Sequence, residues 1–184
     1  MGALAGAVRE ALILRLLKSV ILAAAGLCVL AAALLFVQVR SHGFSARVKP
    51  ASYEAWIARQ LRSLASEPDA RTLKNRIEAT PLAIAEARDH FADHCAVCHG
   101  NRGDGKTAIS EGLYPPAPDM RQAETQNLTD GELFYLIKNG VRFTGMPGWG
   151  GGDEDNWKLV LFIRHLPELT EKEVEFMSEI NHLN

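Results

Sequence analysis

Cysteine is scarce in this chain: three in 184 residues, at positions 28, 95 and 98. That is too few for a disulfide framework, so folding must rest on an ordinary core or on something bound. No glycine-rich phosphate loop, no Ser-His-Asp arrangement and no paired-carboxylate site can be found, which removes nucleotide and hydrolytic chemistry. Charge is missing altogether between Val20 and Val39. Basic charge is also short in the second part. Residues 1–80 carry 11 Lys/Arg against 5 Asp/Glu, and residues 81–184 carry 9 against 17. The front is therefore +6 and the back −8, and an acidic globular part is a poor partner for nucleic acid.

What stands at the front is a run of twenty uncharged residues, VILAAAGLCVLAAALLFVQV. As a helix rising about 1.5 Å per residue, it would cover a hydrocarbon core of roughly 30 Å. A cleaved signal has a shorter apolar region ending at small residues. Here Ala31-Ala32-Ala33 is followed by Leu34, Leu35 and Phe36, so the run reads as a retained anchor. Cys28 has Leu27 before it where a lipoprotein signal would want a small residue, and it reads as a membrane-facing thiol. Arg9, Arg15 and Lys18 on one flank nearly balance Arg40, Arg47 and Lys49 on the other, so the positive-inside rule gives no orientation.

Four segments follow from these patterns: residues 1–40, an N-terminal stub and anchor; 41–80, a connector; 81–168, a globular domain; and 169–184, an acidic tail. In the connector, Ser52 can cap a helix with Trp56, Ile57, Gln60, Leu61 and Leu64 on one side and Arg59 and Arg62 elsewhere. That face could lie on a membrane, dock on the back domain, meet a partner, or belong to a plain spacer helix. Glu67-Pro68-Asp69 breaks it, and the stretch to Thr80 reads as a polar linker. At the other end Pro167 stops a helix, and Thr170 with Glu173 forms a capping box for a short acidic helix. That helix is either a docking element or a solvated end.

Thr80 and Pro81 open the globular domain as cap and first helical residue, with Ile84, Ala87 and Phe91 on one face. The helix delivers the chain to Cys95-Ala-Val-Cys98-His99. Two cysteines three positions apart on a tight turn can each form a thioether with one haem vinyl group, and the adjacent histidine then reaches the iron. C-x-x-C-H is the signature of c-type haem attachment. A bare C-x-x-C also serves as a redox dithiol or as half of a zinc site. The first lacks its βαβ setting, however, and the second lacks another cysteine pair.

A second iron ligand should lie downstream, at Met120 or Met146. Met146 sits in Thr-Gly-Met-Pro-Gly-Trp, where Gly145 permits close backbone approach and Pro147 stiffens the turn. Met120 suits a gap-filling core role equally well. The context favours Met146.

In order, these elements resemble class I cytochrome c: a helix into C-x-x-C-H, a proline-containing loop, a helix, a methionine loop and a final helix. The resemblance covers 81–168. It implies an all-α fold around one covalently attached haem c, preceded here by a single transmembrane helix. Cys95 and Cys98 match the thioether cysteines, His99 the proximal iron ligand and Met146 the distal one. Phe91 matches the aromatic packed on the last helix, Ala87 the small residue at the helix crossing, and Leu159 and Phe162 their partners. Thr129 and Glu132 form a capping box for the intervening helix, which Asn139-Gly140 closes. Tyr114, Arg142 and Trp149 are candidates for the haem propionates.

Because haem c is attached after export, the resemblance also orients the chain, with residues 41–184 outside a bacterial cytoplasmic membrane, in the periplasm. His99 and Met146 would fill both axial positions, implying a respiratory electron carrier or electron-transfer subunit rather than an enzyme. Its partners would be membrane redox complexes, a quinol-oxidising donor and a terminal oxidase or reductase. The rival is a haem-based sensor or small haem enzyme with a displaceable Met146. A third reading is a structural subunit fixed in an assembly by its anchor and the Trp56 helix.

Overall fold

The computed structural model describes residues 2–43, 45–65 and 68–181. Every regular element among them is helical. The chain divides into two compact units, with the division between Ser45 and Ala46.

The first unit is one helix, α1 (Gly2–His42). Within it Leu12–Ser41 is a 30-residue span whose most apolar 18-residue window has a mean hydropathy of 2.9 and no buried side chain. At about 1.5 Å per residue it is long enough to cross a membrane, by length and composition. The helix has no strong apolar side because it is apolar all round, as a lipid-facing helix is.

The second unit opens with α2 (Ser52–Ala65) and a 3₁₀ turn at Pro68–Thr72. The side chain of Leu64, expected on the apolar side of α2, lies outside the described residues. α3 (Pro81–His90) begins as its sequence requires, with the Thr80 hydroxyl accepting from the Ala83 amide at 3.1 Å. It runs on through a π turn at Phe91–Cys95 into the short α4 (Ala96–His99). After a long loop come α5 (Ala123–Gln126), α6 (Asp130–Asn139), α7 (Asp153–His165) and α8 (Glu171–Asn181). In α6 the capping box forms in both directions, at 3.2 Å from the Glu132 amide to Thr129 and 2.8 Å from the Thr129 amide to Glu132.

The centre of the unit is the crossing of α3 and α7. Ala87 and Phe91 meet Leu159, Val160 and Phe162 there, all buried, and the rings of Phe91 and Phe162 lie 5.1 Å apart. Leu133, Phe134 and Ile137 of α6 close the core, with Phe134 stacked on Trp157 at 4.2 Å.

Two segments are more tightly built in than their sequences indicate. The polar stretch after Pro68 packs along α6: Ala70 is buried, and its carbonyl oxygen stands where a Cβ on Gly131 would come within 1.8 Å. Asn75 donates to the Trp157 carbonyl at 2.9 Å and so ties this stretch to α7. The acidic tail is no solvated end either. Met177 is wholly buried in the core, Asn181 donates to the Ala92 carbonyl at 2.9 Å, and Arg102 pairs with Glu171. Met177 and Ile180 face the core, Glu173 pairs with His165 of α7 at 2.8 Å, and the remaining charges of the helix stay exposed.

Candidate functional site

The helix that begins as α3 continues to the first cysteine. Its last turn widens at Phe91–Cys95, where the Ala96 amide reaches back five residues to the Phe91 carbonyl. A π turn inserts one residue into the helical phase and is enriched at functional sites. It gives Cys95, Cys98 and His99 a different register from a straight helix. Nothing in the residue pattern marks it, since the same side chains suit an ordinary α-helix.

The backbone after the motif is then pinned. Gly100 turns the chain at φ 73°, and its amide closes α4 on the Ala96 carbonyl at 2.7 Å. The Gly105 amide donates to the His99 carbonyl at 2.8 Å, and the Thr107 hydroxyl to the Cys98 carbonyl at 3.2 Å. A Cβ on Gly105 would come within 2.3 Å of the Ala117 carbonyl oxygen, so this clamp requires glycine.

His99 itself is largely enclosed, with its ring 6.5 Å from that of Phe91. Its Nδ1 is buried and meets no hydrogen-bond partner among the described residues. Burial pushes the imidazole down to about 4, so it is neutral at physiological pH with a lone pair available. Burial likewise pushes the Cys95 thiol up to about 12, with the neighbouring Cys98 adding to the shift, and burial also raises the Cys98 thiol. Redox dithiols need the opposite, a thiolate stabilised near neutrality. Zinc fares no better: among the described residues no three His, Cys, Asp or Glu side chains converge as a metal site would need.

Met146 stands in the loop between α6 and α7, half-buried, with its backbone held on both sides. The Met146 amide donates to the Thr144 hydroxyl at 3.1 Å, and its carbonyl accepts from Val141 at 3.1 Å. The loop lies directly on the end of α6, where Gly140 at φ 70° leaves no room for a side chain beneath it. Gly145 packs on Leu113, since a Cβ there would meet the leucine at 2.6 Å. Met120, by contrast, is only 6% exposed and belongs to the hydrophobic core.

Trp149, three residues beyond Met146, shares a cavity with Cys95, His90, His94, Asp155 and Leu159. The methionine loop and the first cysteine therefore border one space. His90 and His94 are functional candidates that the motif reading passes over. Their rings lie 4.9 Å apart, and His94 meets the edge of Trp149 at 5.5 Å. Of the three propionate candidates, Tyr114 gives its hydroxyl to Glu54 of α2, while Arg142 and Trp149 are exposed.

Comparison with known proteins points the same way. Residues 82–163 match the family model described as "Cytochrome C oxidase, cbb3-type, subunit III". No curated protein matches the chain. The matched segment starts inside α3 and ends inside α7, so it takes in the whole motif, both loops and the helix crossing.

A domain of this kind carries haem c, iron included, attached covalently. The residues present suit that group. Two neutral thiols stand three positions apart, and beside them lies a neutral, largely enclosed imidazole whose buried Nδ1 meets no partner among the described residues.

Proposed function

Because residues 82–163 form a class I cytochrome c domain, we propose that the protein is a membrane-anchored, single-haem electron carrier, or the electron-transfer subunit of a respiratory complex. Only one C-x-x-C-H occurs in the chain, so one haem is expected. The observation that carries this reading is the neutral, enclosed His99 with its unsatisfied nitrogen, immediately after Cys95 and Cys98.

Cys95 and Cys98 would hold the haem by thioethers, and His99 and Met146 would hold its iron. Haem c supplies a one-electron couple when bound. The chain's own residues make that couple reversible and selective. Enclosure beside Phe91 of the α3–α7 crossing would keep His99 neutral and ready to bind. Thr144, Val141 and Gly140 fix the backbone of Met146, which would present its thioether from a rigid loop. A soft Met146 thioether together with the His99 imidazole would favour the reduced metal and raise the potential relative to two imidazoles. With His99 and Met146 both holding the iron, no position would remain for a substrate, as suits a carrier rather than an enzyme.

α1 would anchor the domain to a bacterial cytoplasmic membrane, with the haem domain on the periplasmic side where haem c is attached. Anchoring raises the effective concentration of the carrier near membrane redox complexes. The matched family is named for an oxidase subunit, which supports a place in or beside a terminal oxidase. A quinol-oxidising complex would be the donor.

Optical spectra of the detergent-solubilised holoprotein test the reading. Sharp c-type bands on reduction, a far-red sulfur-to-iron band when oxidised and no response to carbon monoxide are expected. Ready carbon monoxide binding would replace the carrier with a haem sensor or small haem enzyme.

A further inference from the structure

α2 sits on its domain the wrong way round for a soluble protein. Its polar side faces inward: Glu54 accepts the Tyr114 hydroxyl, Ala55 is half-covered, and burial pulls the Arg62 guanidinium down, with Glu132 acting against it. Its apolar side faces out. Tyr53, Trp56, Ile57 and Leu61 are between 45% and 60% exposed. At about 100° per residue these four fall within an arc of roughly 140°. Large apolar side chains gathered on one exposed face mark a surface that something covers.

We propose that α2 is an interfacial membrane helix, seating Tyr53, Trp56, Ile57 and Leu61 in the boundary between headgroups and acyl chains of the leaflet where α1 emerges. This rests on the anchored reading of α1. Three observations choose lipid over protein as the cover. First, only nine residues separate His42 from Ser52. Even fully extended they span about 30 Å, so α2 never leaves the neighbourhood of the bilayer. Second, Trp and Tyr are the side chains that favour the membrane interface, with an apolar ring and a polar edge. Third, from Arg40 to Arg62 the chain carries five Lys/Arg against the single Glu54, whereas residues 81–184 are −8. An anionic lipid surface attracts the first and repels the second, which turns the domain so that α2 faces the lipid. α2 is bonded through Tyr114 to the edge where Leu113 packs on Gly145, so seating it would fix how the Met146 loop is presented to partners.

The test uses full-length holoprotein, one chain per lipid nanodisc, made of phosphatidylcholine with a quarter phosphatidylglycerol. In a Cys28→Ser background, single cysteines are placed by Ile57→Cys, Leu61→Cys, Leu30→Cys and Glu175→Cys. Cys95 and Cys98 are consumed by the haem. Rates of reaction with a water-soluble, membrane-impermeant maleimide are compared, after each variant is shown to keep the parent optical spectrum. Ile57→Cys and Leu61→Cys should react at least tenfold more slowly than Glu175→Cys, where exposure in the fold alone would allow about twofold. Adding Trp56→Glu should restore the rate at Leu61→Cys. If Leu30→Cys is protected while positions 57 and 61 react like 175, anchoring stands and the interfacial helix is refuted. Fast reaction at Leu30→Cys would overturn the anchor and the inference together. Protection at 57 and 61 in native membranes but not in discs would mean that a protein covers α2, and would also overturn the proposal.

Discussion

Gly140→Ala should release Met146 without touching it. Gly140 closes α6 at φ 70° and ψ −170°, a region that is essentially reserved for glycine. Holding alanine there costs about 1–3 kcal/mol. The new Cβ would also lie 2.4 Å from the Gly148 nitrogen, 2.5 Å from the Pro147 carbonyl carbon and 2.7 Å from the Met146 oxygen. All three are backbone atoms, so no side chain can swing aside. Reaching ordinary contact requires the loop to retreat by roughly 1 Å, a displacement of the kind that costs about 1–3 kcal/mol. The sum, about 2–6 kcal/mol, falls on the segment that carries the proposed distal ligand.

The same loop provides its own control. Gly150 also has positive φ, 60°, but a Cβ there meets no heavy atom within 4 Å. Gly150→Ala should therefore cost about 1 kcal/mol from conformation alone and leave the ligand in place. Both variants would be followed by thermal melts of the holoprotein, where each kcal/mol shifts the midpoint by roughly 3–5 °C. Gly140→Ala should melt well below Gly150→Ala, lose the far-red sulfur-to-iron band and bind carbon monoxide when reduced. Equal melting points with an intact far-red band in both would refute the claim that Gly140 is the shelf on which Met146 rests.

Further outcomes follow from the same geometry. Cys95→Ala combined with Cys98→Ala should abolish haem staining on denaturing gels, because the remaining cysteine, Cys28, is not part of a C-x-x-C-H motif. Met146→Ala should lower the reduction potential and open the iron to carbon monoxide. Met120→Ala should leave the iron closed and instead cost about 2–5 kcal/mol in denaturant titrations, as a cavity in the core does. Met177→Ala should cost a similar amount, although it lies outside the domain that the family model matches. At low pH, Asp119 should matter. Arg121 holds its carboxyl down to about 2, below its usual value near 4. Its contribution is then complete above about pH 4 and is lost as pH falls towards 2, so Asp119→Asn should flatten the acid limb of a stability profile.

How much of this could be read from the chain depends on how local each feature is. Caps were visible because donor and acceptor lie three residues apart: Thr80 with Ala83, Thr129 with Glu132, Thr170 with Glu173. C-x-x-C-H was visible because its chemistry fixes its spacing. The crossing of Phe91 and Phe162 is 71 positions apart in the chain, and only the family resemblance brought the two together. Contacts without such a template stayed hidden. Ala70 under Gly131, Asn75 on Trp157 and Tyr114 on Glu54 join residues whose neighbours look like polar linker or loop. The inverted packing of α2 was hidden for the same reason, since periodicity reveals that a helix has two faces but not which one the domain takes.

The tail shows how such hidden contacts reach the site. In a π turn the hydrogen-bond ladder is interrupted, and a backbone carbonyl within it benefits from a donor elsewhere. Ala92 lies within the turn that sets the register of Cys95, and its carbonyl accepts from Asn181, 89 positions later. Asn181 also donates to Asn101, and Asn101 to Ser178, so both ends of the C-x-x-C-H segment are tied to one face of α8. Met177, wholly buried, supplies the apolar anchor that holds this face in place. The π turn and the tail helix are thus two parts of one device. The turn places the cysteines and histidine out of ordinary helical phase, and α8 supplies the donor that makes this phase stable.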